Sequence, residues 1–302
     1  MSQSPLVSCV MSVFNGKRYL ADAVESILSQ TFTDFEFVVI DDGSTDTSPR
    51  LLERYAAADS RLRLTRRPNT GLTRALNEGL RLARGEFVAR MDGDDVAERT
   101  RFERQVAFLR QHADCAAVGC ALQLLDPDGA PLAEQRPPTT HEAIVARLLQ
   151  GEGAVPHPSA MLRRSALLAV GGYREDFPAA QDLDLWLRLS EFGRLANLDE
   201  ILLRYRLHAD SVTARRRAQQ LACAERAVRE ALLRRGQPVP GRIQLPGAKP
   251  ASPARTLRGW ARMAWRSGHV STARKHAWAA FQAAPWCCSN LGLLRLLLPG
   301  RH

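Results

Sequence analysis

Asp92-Gly93-Asp94-Asp95 places three carboxylates in four residues at the close of an apolar run, Phe87 to Met91. In extended backbone, residues i and i+2 point to the same side, so Asp92 and Asp94 address one point. The glycine between them allows a tight turn or the approach of a ligand. Hard carboxylate oxygens suit Mg²⁺ or Mn²⁺, ions that keep open positions for phosphate oxygens. The competing reading is an acidic loop whose last aspartate caps the next helix, and it suits Asp95 as well as a site does. It suits Asp94 less, because carboxylates this close repel unless a cation sits among them. Asp41-Asp42-Gly43-Ser44-Thr45-Asp46 ends a second apolar run, Phe35 to Ile40. Asp46 reads as an Asx turn capping the helix beyond. Asp42 reads as a carboxylate able to accept from a base N–H or a ribose hydroxyl. A third group opens an amphipathic segment: Gln181-Asp182-Leu183-Asp184-Leu185-Trp186-Leu187-Arg188. Asp182 is either a helix-start carboxylate favoured by the dipole or a general base, with the Trp186 plane offering a surface to a sugar ring. Asp184 and Arg188, four apart, read as a surface ion pair worth about 0.3 kcal/mol.

The elements that must position these groups follow from hydrophobic periodicity. Leu6 to Phe14, Phe35 to Ile40 and Phe87 to Met91 read as buried strands, with a short strand at Leu62 to Leu64. Between them, Tyr19 to Leu28, Ser48 to Ala57, Leu72 to Ala83 and Arg99 to Gln111 carry one-sided apolar stripes and read as helices. Strands alternating with helices imply βαβ units and a three-layer α/β fold with a mostly parallel sheet. In such sheets ligands bind beyond the carboxyl ends of the strands. Those ends are Phe14-Asn15-Gly16, the Asp41-Asp42 cluster and the Asp92 cluster, so the acids mark a site. Past residue 112, Asp126-Pro127-Asp128-Gly129 predicts a hairpin between 116–125 and 130–133, and Gln181 to Phe192 a clear helix. Neither a G-x-G-x-x-G after the first strand nor a G-x-x-x-x-G-K-[ST] is present, which argues against the common dinucleotide and P-loop sites.

Taken together, the order and spacing of these stretches resemble the inverting glycosyltransferase family 2. The matching stretches are Val7 to Gly16, Ser26 to Phe32, Val38 to Asp46, Asn69 to Leu72 with Leu76 to Gly79, Ala89 to Asp95, Gly171-Gly172-Tyr173, Asp182 to Trp186 and Tyr205 to His208. The resemblance covers about residues 5 to 213 and implies a GT-A fold, Rossmann-like and three-layered, with a sugar transferred from a nucleoside-diphosphate donor. It places Ser12, Phe14, Asn15 and Asp42 at the nucleotide, Phe14 stacking on the base, and Asp92 toward the ribose. Asp94 falls on a divalent metal, Mn²⁺ or Mg²⁺, with His208 near it, and Asp182 on the general base. The donor it implies is a UDP-sugar foremost; the acceptor is a glycan or lipid-linked hydroxyl in bacterial surface-glycan assembly. Two departures stand out: Gln181 precedes the base where the family often has Glu, and Ser12-Val13-Phe14-Asn15 lacks the proline common before that motif. Neither removes a reacting group. A non-catalytic sugar-nucleotide-binding module and a pyrophosphorylase-type nucleotidyltransferase are the alternatives, the latter disfavoured by the missing glycine-rich basic loop.

Of the 302 residues, 45% are hydrophobic and 25% charged, which supports a packed core and excludes global disorder. Residues 1–213 hold 25 Lys and Arg against 30 Asp and Glu, whereas 214–302 hold 17 against 2. An acidic body and a basic tail point to separate tasks, and we divide the chain into a catalytic domain, 1–213, and a helical extension, 214–302, with a linker at about 236–253. The stretch 257–285 resembles a single tetratricopeptide unit, and Leu291 to Leu298 could lie in a bilayer surface. The extension either docks on the catalytic domain or meets an anionic membrane; nucleic acid is disfavoured for want of a reading motif. No run reaches the ~18 apolar residues of a membrane span, and the N-terminus lacks a secretory signal pattern. Six cysteines without metal-ligand spacing read as free thiols. The expected location is cytoplasmic, peripheral to the inner membrane face.

Overall fold

The computed structural model describes residues 4–208, 217–243, 245 and 252–293. The predicted alternation is present: β1 (Val7–Val13), α1 (Leu20–Leu28), β2 (Phe35–Asp41), α2 (Ser48–Ala58), β3 (Leu62–Arg66), α3 (Leu72–Leu82) and β4 (Phe87–Asp92). There follow β5 (Val96–Ala97), α4 (Arg101–Gln111), β6 (Cys115–Leu125), β7 (Pro131–Gln135), α5 (His141–Leu149), β8 (Met161–Arg163), α6 (Arg164–Ala169), α7 (Gln181–Phe192) and β9 (Arg194–Arg206). Three helices close the chain: α8 (Arg217–Arg234), α9 (Pro253–Arg266) and α10 (Val270–Ala283). The sheet runs β3-β2-β1-β4-β8-β6-β9-β5, with β7 on β6. β1 lies between β2 and β4 and is parallel to both, and β2 is parallel to β3. Beyond β4 the pairings β4–β8, β8–β6 and β6–β7 are antiparallel. The sheet is therefore mixed: the parallel part is the βαβ portion, and the expected hairpin extends it in the opposite sense.

The chain divides into two compact units. One comprises Met1–Ala121, Arg136–Leu203 and Ala218–Pro246; the other comprises Leu122–Gln135, Arg204–Arg217 and Gly247–His302. The division differs from a single boundary at 213. α8 belongs with the first unit, because Ala224, Ala227, Val228 and Ala231 are buried in the same apolar cluster as Phe177, Leu185 and Trp186. Charge secures the same helix: Arg174 pairs with Asp184 and Glu230, Arg226 with Asp176 and Glu230, and Arg234 with Glu191. In the second unit the α9–α10 hairpin forms as the tetratricopeptide-like pattern predicts, with Ala261, Ala277 and Ala280 letting the helices approach. α10 also grips the β6–β7 turn, where the buried Asp126 carboxylate accepts from Lys275 Nζ at 2.6 Å, His276 Nε2 at 2.8 Å and the Ala130 amide at 2.8 Å. Burial opposes ionisation of Asp126, but these donors hold its pKa below the usual carboxylate range. Leu294 to Leu298, and residues 244 and 246–251 of the expected linker, lie outside the described residues. Among the described residues, no helix is long and apolar enough to cross a membrane.

Packing of α3 on the parallel strands depends on Gly79. A Cβ there would stand 2.4 Å from Cγ1 of Val10, in the middle of β1. The helix therefore lies closer to the strand than any side chain would allow, which brings the loop before α3 over the strand ends. Overpacked core positions cost about 1–3 kcal/mol. Gly79→Ala is expected to lower the unfolding free energy by that much, read as a lower urea midpoint at unchanged slope; a midpoint within error of the parent would show that α3 can shift freely.

Candidate functional site

Register sets the site. Ser12 stands opposite Ile40 on one side and Asp92 on the other, and Val13 opposite Asp41, so three strand ends finish abreast. Asn15 then turns the chain in the left-handed region, φ 54°, a conformation asparagine tolerates better than most residues. Its side-chain oxygen accepts from the Thr45 amide at 2.8 Å, and its own amide donates to Ser44 Oγ at 2.9 Å. Asn15 thus ties the end of β1 to the loop after β2. Phe14 is left 55% exposed at this edge, its ring available for stacking. Asp42 is buried, and its carboxylate accepts from the Thr70 amide (3.1 Å) and the Gly71 amide (2.8 Å) and forms an ion pair with Arg67 Nε at 3.2 Å. It is committed to holding the loop before α3, a role its position in the sequence alone did not disclose.

Carboxylate oxygens of Asp92, Asp94 and Asp95 lie within 4.8 Å of one another. That spacing and the all-oxygen donor set fit a hard divalent ion. His208 follows β9 in the second unit and is not among the three. Gly93 adopts no left-handed φ, and a Cβ there would meet Leu20 and Val13 only at an ordinary 3.6 Å. The expected turn is made at Gly93 and Asp94, but with neither a positive φ nor a close contact it does not require a glycine there. Below the acids, two residues back on β4, the buried Arg90 guanidinium contacts the Asp92 carboxylate. Its Nε and Nη1 donors have no hydrogen-bond partner. Burial raises the Asp92 pKa, and the Asp94 charge adds to that, against the pull of Arg90.

Asp182 is the second residue of α7, whose N-cap Ala180 is also left-handed, with φ 51°. Burial pushes the Asp182 carboxyl up; backbone N–H groups and Arg90 oppose this, while the Asp92 charge reinforces it. Asp182 and the acidic strand end therefore share one electrostatic environment. Trp186, by contrast, is 1% exposed and packs edge-on to His157 with ring centroids 6.0 Å apart, so it is core and offers no surface to a sugar. Asp184 and Arg188 are likewise not a surface pair. Asp184 is buried, taking Arg188 Nε at 2.9 Å and Nη2 at 2.7 Å, and Arg174 at 3.2 Å. Arg188 continues to the carbonyls of Val170 (2.7 Å) and Gly172 (2.9 Å). The pair fastens α7 to the Gly171-Gly172-Tyr173 segment.

Arg90, His157 and Tyr173 are site residues to which the sequence reading gave no role. His157 Nε2 lies 2.6 Å from the Tyr173 hydroxyl. Burial, then the Arg90 charge, holds His157 neutral, and burial pushes the Tyr173 phenol up. One signal was available: Arg90 interrupts an otherwise apolar buried strand, and a charge there needs a partner. The Pro156-His157-Pro158 loop gave none, because its approach to Tyr173 is long-range. All six cysteines are free, and Cys9 and Cys115 are buried, their thiols pushed up to about 12 and about 11, so neither of these two resembles an activated nucleophile.

Residues 8–171 match the family model described as Glycosyl transferase family 2. The chain is 37% identical over 225 residues to the putative glycosyltransferase EpsE of Bacillus subtilis, covering 72% of this chain and 78% of that protein. It is 31% identical over 234 residues to the O-antigen biosynthesis glycosyltransferase WbnJ of Escherichia coli, covering 76% and 90%. Similar folds occur in S. aureus TarS in complex with UDP-GlcNAc (TM-score 0.60, 18% identity, 92% and 81% covered). The mannosyltransferase PcManGT of Pyrobaculum calidifontis, in complex with GDP-Man and Mn²⁺, is also similar (TM-score 0.57, 21% identity, 97% and 79% covered). At these identities the two structures speak for the fold alone.

Removing one partner of a buried ion pair costs about 3–5 kcal/mol, because the remaining charge loses its compensation. Asp184→Ala is therefore expected to destabilise the protein by that order in chemical denaturation. A loss below about 0.5 kcal/mol, the scale of a surface helix pair, would return the pair to solvent.

Proposed function

Because the chain belongs to glycosyl transferase family 2, and is a glycosyltransferase on that ground, we propose that it moves one sugar from a nucleoside-diphosphate donor to a hydroxyl of a glycan or lipid-linked acceptor, with inversion. The observation that carries this reading is the shared environment of Asp182 and the Asp92-Asp94-Asp95 strand end, in which the charge of one alters the protonation of the other. A base beside a cluster suited to phosphate-binding cations is what single displacement at an anomeric carbon requires. The exposed Phe14 ring would stack on the base, and Ser12 and Asn15 would line the nucleotide edge. Asp42 would act there through the 67–71 loop it holds. Asp94, with Asp92 and Asp95, would hold Mg²⁺ or Mn²⁺, which when bound offsets the charge of the departing diphosphate. Asp182 would take the proton of the acceptor hydroxyl as the new bond forms. Gln181 gives Asp182 one fewer negative neighbour than a glutamate would, so its pKa would rise less, while the reacting carboxylate is retained. The partners of the structural neighbours, UDP-GlcNAc and GDP-Man, make a UDP- or GDP-sugar the first donors to test, with UDP foremost.

General-base help is worth about 10²–10⁴-fold, so Asp182→Asn is expected to lose transfer by that factor while binding donor normally in calorimetry. Turnover equal to the parent would remove Asp182 from the reaction. The working form of Asp182 is the anion, and burial raises its pKa. Activity must therefore fall, as pH drops, at a value above the ~3.9 of an ordinary aspartate. An acid limb in kcat/KM centred at the ordinary value would contradict the assignment. A ligand that binds only the native state raises the apparent Tm. One nucleoside diphosphate plus Mn²⁺ should do so, and Asp94→Ala should abolish the metal-dependent part. No shift with any of UDP, GDP or TDP would favour a module without turnover.

A further inference from the structure

The α9–α10 hairpin carries a surface that sugar transfer does not explain. From Ala231 to His302 the sequence contains no Asp or Glu. Between Ser252 and Leu293 it carries six lysines and arginines, of which Lys275 pairs with Asp126 and Asp128 and Arg258 with Asn290. Along α9 the buried side is Ala254, Trp260, Ala261 and Ala264, whereas Arg255, Arg262 and Arg266 recur at helical spacing on the exposed side. Along α10 the buried side is Thr272, Ala273, His276, Ala277 and Ala280. Trp278 stands opposite that side, 59% exposed. Trp265, at the end of α9, is 43% exposed, and Trp286, just past α10, is 96% exposed. Indole rings left in water beside arginines are costly for a hairpin whose own core is already filled by alanines, and large exposed apolar groups of this kind mark interaction surfaces.

We propose that this hairpin docks on an anionic phospholipid bilayer, the three tryptophans entering the headgroup region and Arg255, Arg262 and Arg266 facing the lipid phosphates. Charge decides the class of partner: a surface with basic groups and no acid complements a negative leaflet, which attracts each such residue near it. The rings decide between a membrane and a polyanion in solution. Tryptophan is enriched at membrane–water interfaces, where its apolar body and N–H are both satisfied. Trp265, Trp278 and Trp286 sit singly on separate elements, and do not form the consecutive platform on which single-stranded bases stack. The proposal does not depend on the sugar-transfer reading, because none of these residues belongs to the strand-end site.

The test is co-sedimentation of the full chain with vesicles of phosphatidylcholine alone and of phosphatidylcholine with 30 mol% phosphatidylglycerol, a mole fraction of about one-third chosen to give a strongly negative surface. We expect pelleting with the anionic vesicles only, falling steeply as NaCl rises because surface charges are screened, together with a blue shift of tryptophan emission. Each of Arg255→Gln, Arg262→Gln and Arg266→Gln should weaken binding about fivefold. Trp278→Ala with Trp286→Ala should remove the blue shift at an unchanged Tm, and donor binding should be unchanged in all variants. Equal pelleting with neutral vesicles, no pelleting at low salt, or variants that bind as the parent does would overturn the proposal. Retention of a single-stranded oligonucleotide with no vesicle binding would also overturn it, in favour of nucleic acid.

Discussion

One buried cation sits under the functional end of the sheet. Arg90 occupies β4, the strand paired with both β1 and β8, and its guanidinium meets Asp92 where that strand runs out. An unpaired guanidinium in the interior would be prohibitively costly, so the acidic strand end is a condition of the fold as well as a feature of the site. The converse also holds: three carboxylates with oxygens within 4.8 Å repel one another, and Arg90 is the neighbouring positive charge that eases that repulsion within the protein. The same charge reaches Asp182, His157 and Tyr173: it opposes the rise that burial gives the Asp182 and Tyr173 pKa and reinforces the fall that burial gives His157. These residues come from β4, α7, the loop before β8 and the segment after α6. A single electrostatic centre therefore relates parts of the first unit that are far apart in sequence.

What the sequence disclosed follows the range of the interactions. Strands β1, β2 and β4 and helices α1 to α4 were legible because buried runs and one-sided stripes are local patterns, and the acids at strand ends were legible because a parallel α/β sheet gathers its ligands there. The side to which a residue turns was less legible where a long-range partner decided it. Asp184 and Arg188 have the spacing of a surface helix pair, yet the carbonyls of Val170 and Gly172 draw Arg188 inward and Asp184 follows. Trp186, read as a platform, is buried beside His157 for the same reason. Asp42 looked like a free acceptor until the Thr70 and Gly71 amides and Arg67 were placed around it.

Charge asymmetry along the chain resolves into two different physical situations. In α8 the arginines are answered by acids elsewhere in the first unit: Arg226 by Asp176, Arg234 by Glu191, while Arg174 reaches Glu230 on α8 in return. Arg174 and Arg226 also lie over the buried ring of Phe177, their guanidinium carbons 4.4 Å and 4.5 Å from its centroid. This part of the basic tail is structural, and its excess charge is largely cancelled on folding. In α9 and α10 the sequence supplies no acid of its own, and Asp126 pairs with Lys275 and His276 and Asp128 with Lys275. Arg255, Arg262 and Arg266 therefore keep their field in solvent. Ion pairs thus answer Arg226, Arg229 and Arg234 of α8 and leave these three arginines of α9 at the surface, and a field kept there acts on whatever is outside it.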